Sequence, residues 1–298
     1  MTMDSDVKFL EIMDSTSPSH TKAHDSFFKP DSVGSRVAVA LIVATAIAWS
    51  VTYCLMNSIF GMGMNNGMVS SALPIADMSI LFSSLNLGVF LLFVLAWIAG
   101  TVAMMFPGMI PAVSVHYRMA DKIGLSSKVA KIGGTMIFLL GYLIPYILLG
   151  LGAYLTVFLA FRFGAMIPSL STYAAQVAGV IMMVAGVWQL TPYKDVCVKH
   201  YVSPLGFVRT HAKNGFGGAF RNGAEHGYYC VGSCYLYMIV MLSVAAMTIP
   251  SMALLAIITT LEKVIVKGAK WFTWLVGFGF IIMGVIIWFL PRLLPAIV

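Results

Sequence analysis

The chain has 298 residues, 60% hydrophobic and 10% charged, with a mean hydropathy of +0.92 and a net charge of +7. Apolar runs of about 20 residues recur, the length that crosses a bilayer core of about 30 Å; this excludes an ordinary soluble one- or two-domain protein and indicates an all-α, polytopic transmembrane helical bundle. The positive charge falls between the runs rather than on one face, which excludes a nucleic-acid surface and leaves the lipid bilayer as the first partner.

Residues 1–35 are polar, rich in Ser, Thr and Asp and without a sustained period, and read as a tail that is disordered or bound to a partner. The tail is too long and too acidic for a signal peptide, so the first apolar run is expected to be a retained anchor. Residues 36–298 then form a single transmembrane domain. Its runs lie at about 37–56, 86–112, 133–161, 173–190, 228–247, 250–262 and 271–290, giving seven spans of which the sixth is short. With seven spans, sixteen of the 18 Lys and Arg residues fall on one side. Basic loops stay inside, so the N-terminus is expected in the cytoplasm, the C-terminus outside, and residues 191–226 in a cytoplasmic loop of a multi-pass cell-membrane protein.

After the first span comes Gly61-Met-Gly-Met-Asn-Asn-Gly-Met68, with Asp77 and Met78 behind it. Thioethers on an oxidising face can capture Cu(I), but Met also fills irregular gaps, and that plainer reading is preferred for this loop. The second span holds Met104, Met105, Pro107, Met109 and Pro111, followed by His116. Two prolines four apart each remove a donor and crowd the preceding turn, which predicts a helix end buried against its neighbours. In the third span Gly133, Gly134, Gly141, Gly150 and Gly152, and in the fourth Ser171, Ala175 and Gly179, mark close-packed interfaces. No span centre carries Asp, Glu, Lys or Arg, which argues against a proton-driven transporter.

Most of the polar chemistry lies between Gln189 and Met238. His226, Cys230, Cys234 and Met238 follow at four-residue steps, which places an imidazole, two thiols and a thioether on one face of a helix. Cys197 and His200 precede them in the loop at the same membrane depth. The proposed metal site is therefore Cys197, His200, His226, Cys230 and Cys234 with Met104 and Met105, at the cytoplasmic side. His226 to Met238 is about 18 Å along a helix, so the column as a whole can only be a relay. Such donors suit copper first and zinc second. Isolated Cys and His residues in membrane helices are more often packing residues, and that alternative stands beside the metal reading. No paired carboxylates, nucleophile–base set or phosphate-binding Gly loop is present, so the chain reads as a metal-handling protein rather than an enzyme.

At these motifs the sequence resembles an uncharacterised family of predicted metal-binding integral membrane proteins. The resemblance rests on Trp97…Ala103-Met-Met-Phe-Pro107-x-x-x-Pro111, Ala185-Gly-Val-Trp-Gln-Leu-Thr-Pro192-Tyr-Lys194, Cys197-x-x-His200-x-x-Ser-Pro-Leu-Gly206, Gly223-Ala-Glu-His226-Gly-x-Tyr-Cys230-x-Gly-x-Cys234 and Leu261-Glu262-Lys263. It departs from that family at Tyr201 and Ser233, where a further Cys is usual, and at Glu225. The departures weaken a thiolate-rich site and leave room for a mixed His/Cys/Met site or for a member that has lost its metal. They also keep open a non-catalytic accessory subunit of a larger membrane complex, for example beside a copper-dependent membrane monooxygenase, with membrane-protein partners or further copies of itself.

Overall fold

The computed structural model describes residues 32–59, 87–164, 174–202, 214–243 and 249–290. The tail before Ser32, the methionine loop from Gly61 to Met68, Asp77 and Met78, Ser171 and the Ser203–Gly206 motif lie outside them. The described residues form α1 (Ser32–Ile59), α2 (Leu87–Met119), a 3-10 turn (Ala120–Ile123), α3 (Lys128–Gly164), α4 (Ala174–Gln189) and α5 (Pro192–Val202), followed by α6 (Gly215–Ser243), α7 (Ile249–Thr260), a π turn (Leu261–Ile265) and α8 (Lys270–Phe289). There is no strand among them. All-helical structure is what lipid demands, because only a helix satisfies its own backbone where no water can.

Four helices are long and apolar enough to cross a bilayer: Ser35–Leu55, Phe90–Ile123, Lys128–Thr156 and Lys270–Phe289. This is fewer than the seven predicted runs, for reasons visible in the others. Helix α4 has 16 residues, and the 12 residues of α7 reach only about 18 Å at 1.5 Å per residue, against a core of about 30 Å. Helix α6 has 29 residues but begins at Gly215, inside the segment expected to be loop, and its first turns are polar. The expected loop 191–226 thus contains α5 and three turns of α6.

The two prolines do not end α2. It runs through Pro107 and Pro111 for 33 residues. Each proline frees one carbonyl, at Ala103 and Pro107, while the rest of the ladder and the packing against α1, α3 and α7 hold the helix together.

The bundle is built on two tightly sealed pairs. Helix α6 packs along α3, where Gly223 and Gly227 leave no room for a Cβ above the backbone of Phe138 and Tyr142. Helix α8 packs along α4 through Gly179 and Gly186 against Gly284 and Gly277; a Cβ on Gly179 would come within 2.9 Å of the Gly284 carbonyl oxygen. Helix–helix contacts of this small-residue type replace the hydrophobic drive that lipid removes. Gly141 and Gly179, expected at interfaces, lie in these two seams, whereas Gly152 faces open space. Helix α1 lies on α2, α7 on α2, and α5 with the π turn closes one end over α6. Large apolar side chains such as Leu140, Leu148, Leu254, Trp274 and Phe278 face outward, an arrangement compatible with helices that meet lipid.

Candidate metal site

Helix α6 presents Cys230 to the middle of the core, where its thiol is fully buried. The close α3–α6 approach decides what the sulfur meets. Tyr146 donates to Cys230 Sγ at 3.0 Å, and the Tyr142 hydroxyl lies 3.1 Å from it. From the π turn, Lys263 Nζ donates to the same sulfur at 2.9 Å. The Tyr146 hydroxyl also lies 3.4 Å from Cys234 Sγ, and Cys234 donates to the Cys230 carbonyl at 3.0 Å. Lys263 Nζ sits 4.5 Å over the ring of Tyr201 from α5, a further favourable contact for a desolvated cation. Gly108 on α2 leaves the space, since a Cβ there would stand 3.3 Å from the Tyr201 hydroxyl oxygen. Tyr201, one position where the resembled proteins carry a thiol, thus belongs to this knot.

A second buried cation adjoins the first. Lys194, completely buried on α5, pairs with Glu262 Oε1 at 2.5 Å and donates to Gln189 Oε1 and, at 3.2 Å, to the Tyr237 hydroxyl. Tyr237 donates to Gln189 Oε1 at 3.1 Å, and Thr273 on α8 donates to Glu262 Oε1 at 3.2 Å. Burial works against the charged form of Lys194 and lowers its pKa, while Glu262 beside it works the other way. Ions buried this deeply cost several kcal/mol each unless paired. Two ammonium groups here face one carboxylate, so a thiolate at Cys230 brings the knot to neutrality.

The other expected ligands are spread around this knot. Cys197 is half-buried and packs its sulfur on Gly232, and burial pushes its thiol pKa up. His200 stacks on Tyr229 with ring centroids 4.5 Å apart, and buried His226 stacks on Tyr201 at the same distance. His116 lies against Phe138, also at 4.5 Å. Among the described residues, no three His, Cys, Asp or Glu side chains come together in a metal-binding group. Cys230 and Cys234 meet through Tyr146; Cys197, His200 and His226 face other neighbours. Met104 and Met105 are buried in the same core as both thiols. Met104 also lines a cavity of about 10 Å³ with Trp97, Gly100, Thr101, Met238, Met241 and Met252.

Sequence reasoning missed Tyr142, Tyr146, Lys194, Glu262 and Lys263 as site residues. Their signal was present: two tyrosines one turn apart in an apolar span, and a Glu-Lys pair in a chain with few charges.

No curated protein and no solved structure matches the chain. The sequence pattern of one family, described as copper chaperone, matches residues 94–287, a stretch that runs from α2 to the last turns of α8 and includes every residue of the knot. With more than half its length matched, and with buried thiols and thioethers at the centre of the matched region, the chain belongs to the PpoB2 family of copper chaperones.

Proposed function

We propose that this protein is a membrane-embedded carrier of Cu(I), which takes the ion at its cytoplasmic end on Cys230 and Cys234 and passes it to another membrane protein. The observation that carries this is the concentration of sulfur in one core. Met104, Met105, Met109, Cys230, Cys234, Met238, Met241 and Met252 are all buried in a single cluster. Thiolates and thioethers are the donors that select Cu(I) over the harder ions of the cell. The family's copper connection supports the same metal.

The knot accounts for uptake in terms of charge. With Cys230 as thiolate the site is neutral, and an arriving Cu(I) brings one positive charge. Neutrality is kept when Cys234 gives up its proton and both sulfurs hold the ion. Lys263 gives way from Cys230 in this step, because the sulfur lone pairs it engages are those the metal needs. One Cu(I) enters and one proton leaves, so binding strengthens as pH rises. Return of the proton to Cys234 weakens the site and favours release to an acceptor.

Orientation follows from the basic residues. On the seven apolar runs of the sequence, of which four helices reach spanning length, sixteen of 18 Lys and Arg fall on one side. Basic segments stay inside, so the proposal has the knot at the cytoplasmic side, where thiols stay reduced. The test is Cu(I) content of the purified full chain, wild type against a Cys230→Ser, Cys234→Ser double variant. The wild type is expected to hold Cu(I) that the variant lacks; equal copper in both refutes the carrier reading at these thiols.

A further inference from the structure

The cavity beside Trp97 is not part of the thiol knot. Met238 lies eight residues after Cys230 on α6, about 12 Å along the axis. Four of the seven residues around the cavity are methionines, brought from three helices: Met104 from α2, Met238 and Met241 from α6, and Met252 from α7. The methionines are buried. The cavity, at about 10 Å³, has the size of one small atom.

A plain packing role explains this poorly. Methionine is the side chain best able to fold into an irregular gap, and protein interiors close such gaps. Four of them here converge and still leave an atom-sized space. Gly100 opens that space further: a Cβ there would stand 2.9 Å from the Met252 methyl carbon. The Trp97 N–H is committed to the Tyr146 carbonyl at 2.9 Å, so the indole offers the cavity its carbon framework, which attracts cations. Four neutral thioethers beside a single hydroxyl-bearing residue, Thr101, disfavour Zn(II) and other ions that want nitrogen or oxygen, and they suit Cu(I).

We propose that Met104, Met238, Met241 and Met252 form a second Cu(I) site, made of thioethers and standing two turns of α6 beyond Cys230. It rests on the copper reading above and gives the ion a place to go after the thiols. Its chemistry differs from theirs in one measurable respect. A thioether has no proton to lose, so Cu(I) binding there does not depend on pH, whereas binding at Cys230 and Cys234 does.

The test is anaerobic competition of the full-length protein, in lipid nanodiscs, against a coloured Cu(I) chelator at several pH values. Wild type is expected to bind two classes of Cu(I), one tightening with pH and one indifferent to it. Met238→Leu and Met252→Leu, each close in volume, are expected to lose the indifferent class. The Cys230→Ser, Cys234→Ser variant is expected to keep it, with a thioether sulfur signature in X-ray absorption. Met182→Leu, a thioether packed in the separate cluster between α4, α6 and α8, is the control and is expected to keep both classes. Persistence of the indifferent class in both cavity variants, its loss in Met182→Leu, or its absence from wild type that still binds copper at the thiols overturns the second site alone. Wild type that binds no Cu(I) overturns the carrier reading as well. Should one cavity variant fail to fold, the other and the X-ray absorption signature of the thiol-free variant decide the matter.

Discussion

Helix α6 holds sulfur in two settings about 12 Å apart along its axis, and the two environments have opposite chemistry. Around Cys230 the sulfur is the acceptor of an ammonium and a tyrosine hydroxyl, with a second hydroxyl 3.1 Å away, in a buried network of Lys194, Glu262 and Lys263. Around Met238 there is a void lined by Met104, Met241 and Met252 with Trp97, Gly100 and Thr101. The first setting is charged and centred on thiols that can lose a proton; the second is uncharged and centred on thioethers that cannot. The difference teaches that a run of soft ligands on one helix face is not one site. What α3, α5 and the π turn bring against that face divides it.

The largest effect that can break this comparison is removal of the one carboxylate. Glu262→Gln leaves Lys194 and Lys263 buried with only the thiolate between them, and losing one partner of a buried pair costs about 3–5 kcal/mol. A matching fall in unfolding stability in detergent is expected, largely restored when Lys194→Met is added. If Glu262→Gln is as stable as wild type, the ionic description of the knot is wrong.

A smaller and sharper effect concerns Lys263, the ammonium 2.9 Å from Cys230 Sγ. Lys263→Met removes the charge that the thiolate balances, leaving Lys194 and Glu262 paired and Cys230 as a neutral thiol. Copper uptake on both thiolates then releases two protons instead of one and leaves the knot with one uncompensated negative charge, so binding is expected to be weaker as well as steeper in pH. The affinity of the pH-sensitive class is expected to change about a hundredfold per pH unit in the variant and about tenfold in wild type, in both cases stronger at higher pH. An unchanged slope shows that Lys263 does not set the protonation of Cys230.

The last prediction involves no change in stability and fixes only which side the knot faces. Single cysteines at Asn66 and Asn214, in a background without the native thiols, are to be probed with a membrane-impermeant reagent on intact cells. Labelling at Asn66 and protection at Asn214 are expected from the distribution of basic residues. The reverse pattern moves the thiols to the oxidising side and removes the argument that they stay reduced.

The sequence by itself determined that the chain is helical, that several of its helices suit lipid, and that Cys230, Cys234 and Met238 share one helix face. These follow from local rules: apolar runs of spanning length, and a four-residue repeat that holds wherever the helix is. It also marked Gly179 and Gly141 as interface positions, because small residues in apolar runs have few other uses. Only the tertiary structure decided what each ligand faces. Lys194 and Lys263 lie just beyond apolar runs, where a sequence reading leaves them in water; α5 and the π turn fold them back against α6, and burial then makes Glu262 and Cys230 their necessary partners. His200 and His226 lie near enough in sequence to join a metal site, yet aromatic rings on neighbouring helices stack on them. The methionine cavity is drawn from positions 104, 238, 241 and 252, and no local period connects residues so distant. Spacing along one helix determines which side chains share a face, but the charge, hydration and vacancy around that face are set by the other helices that pack on it.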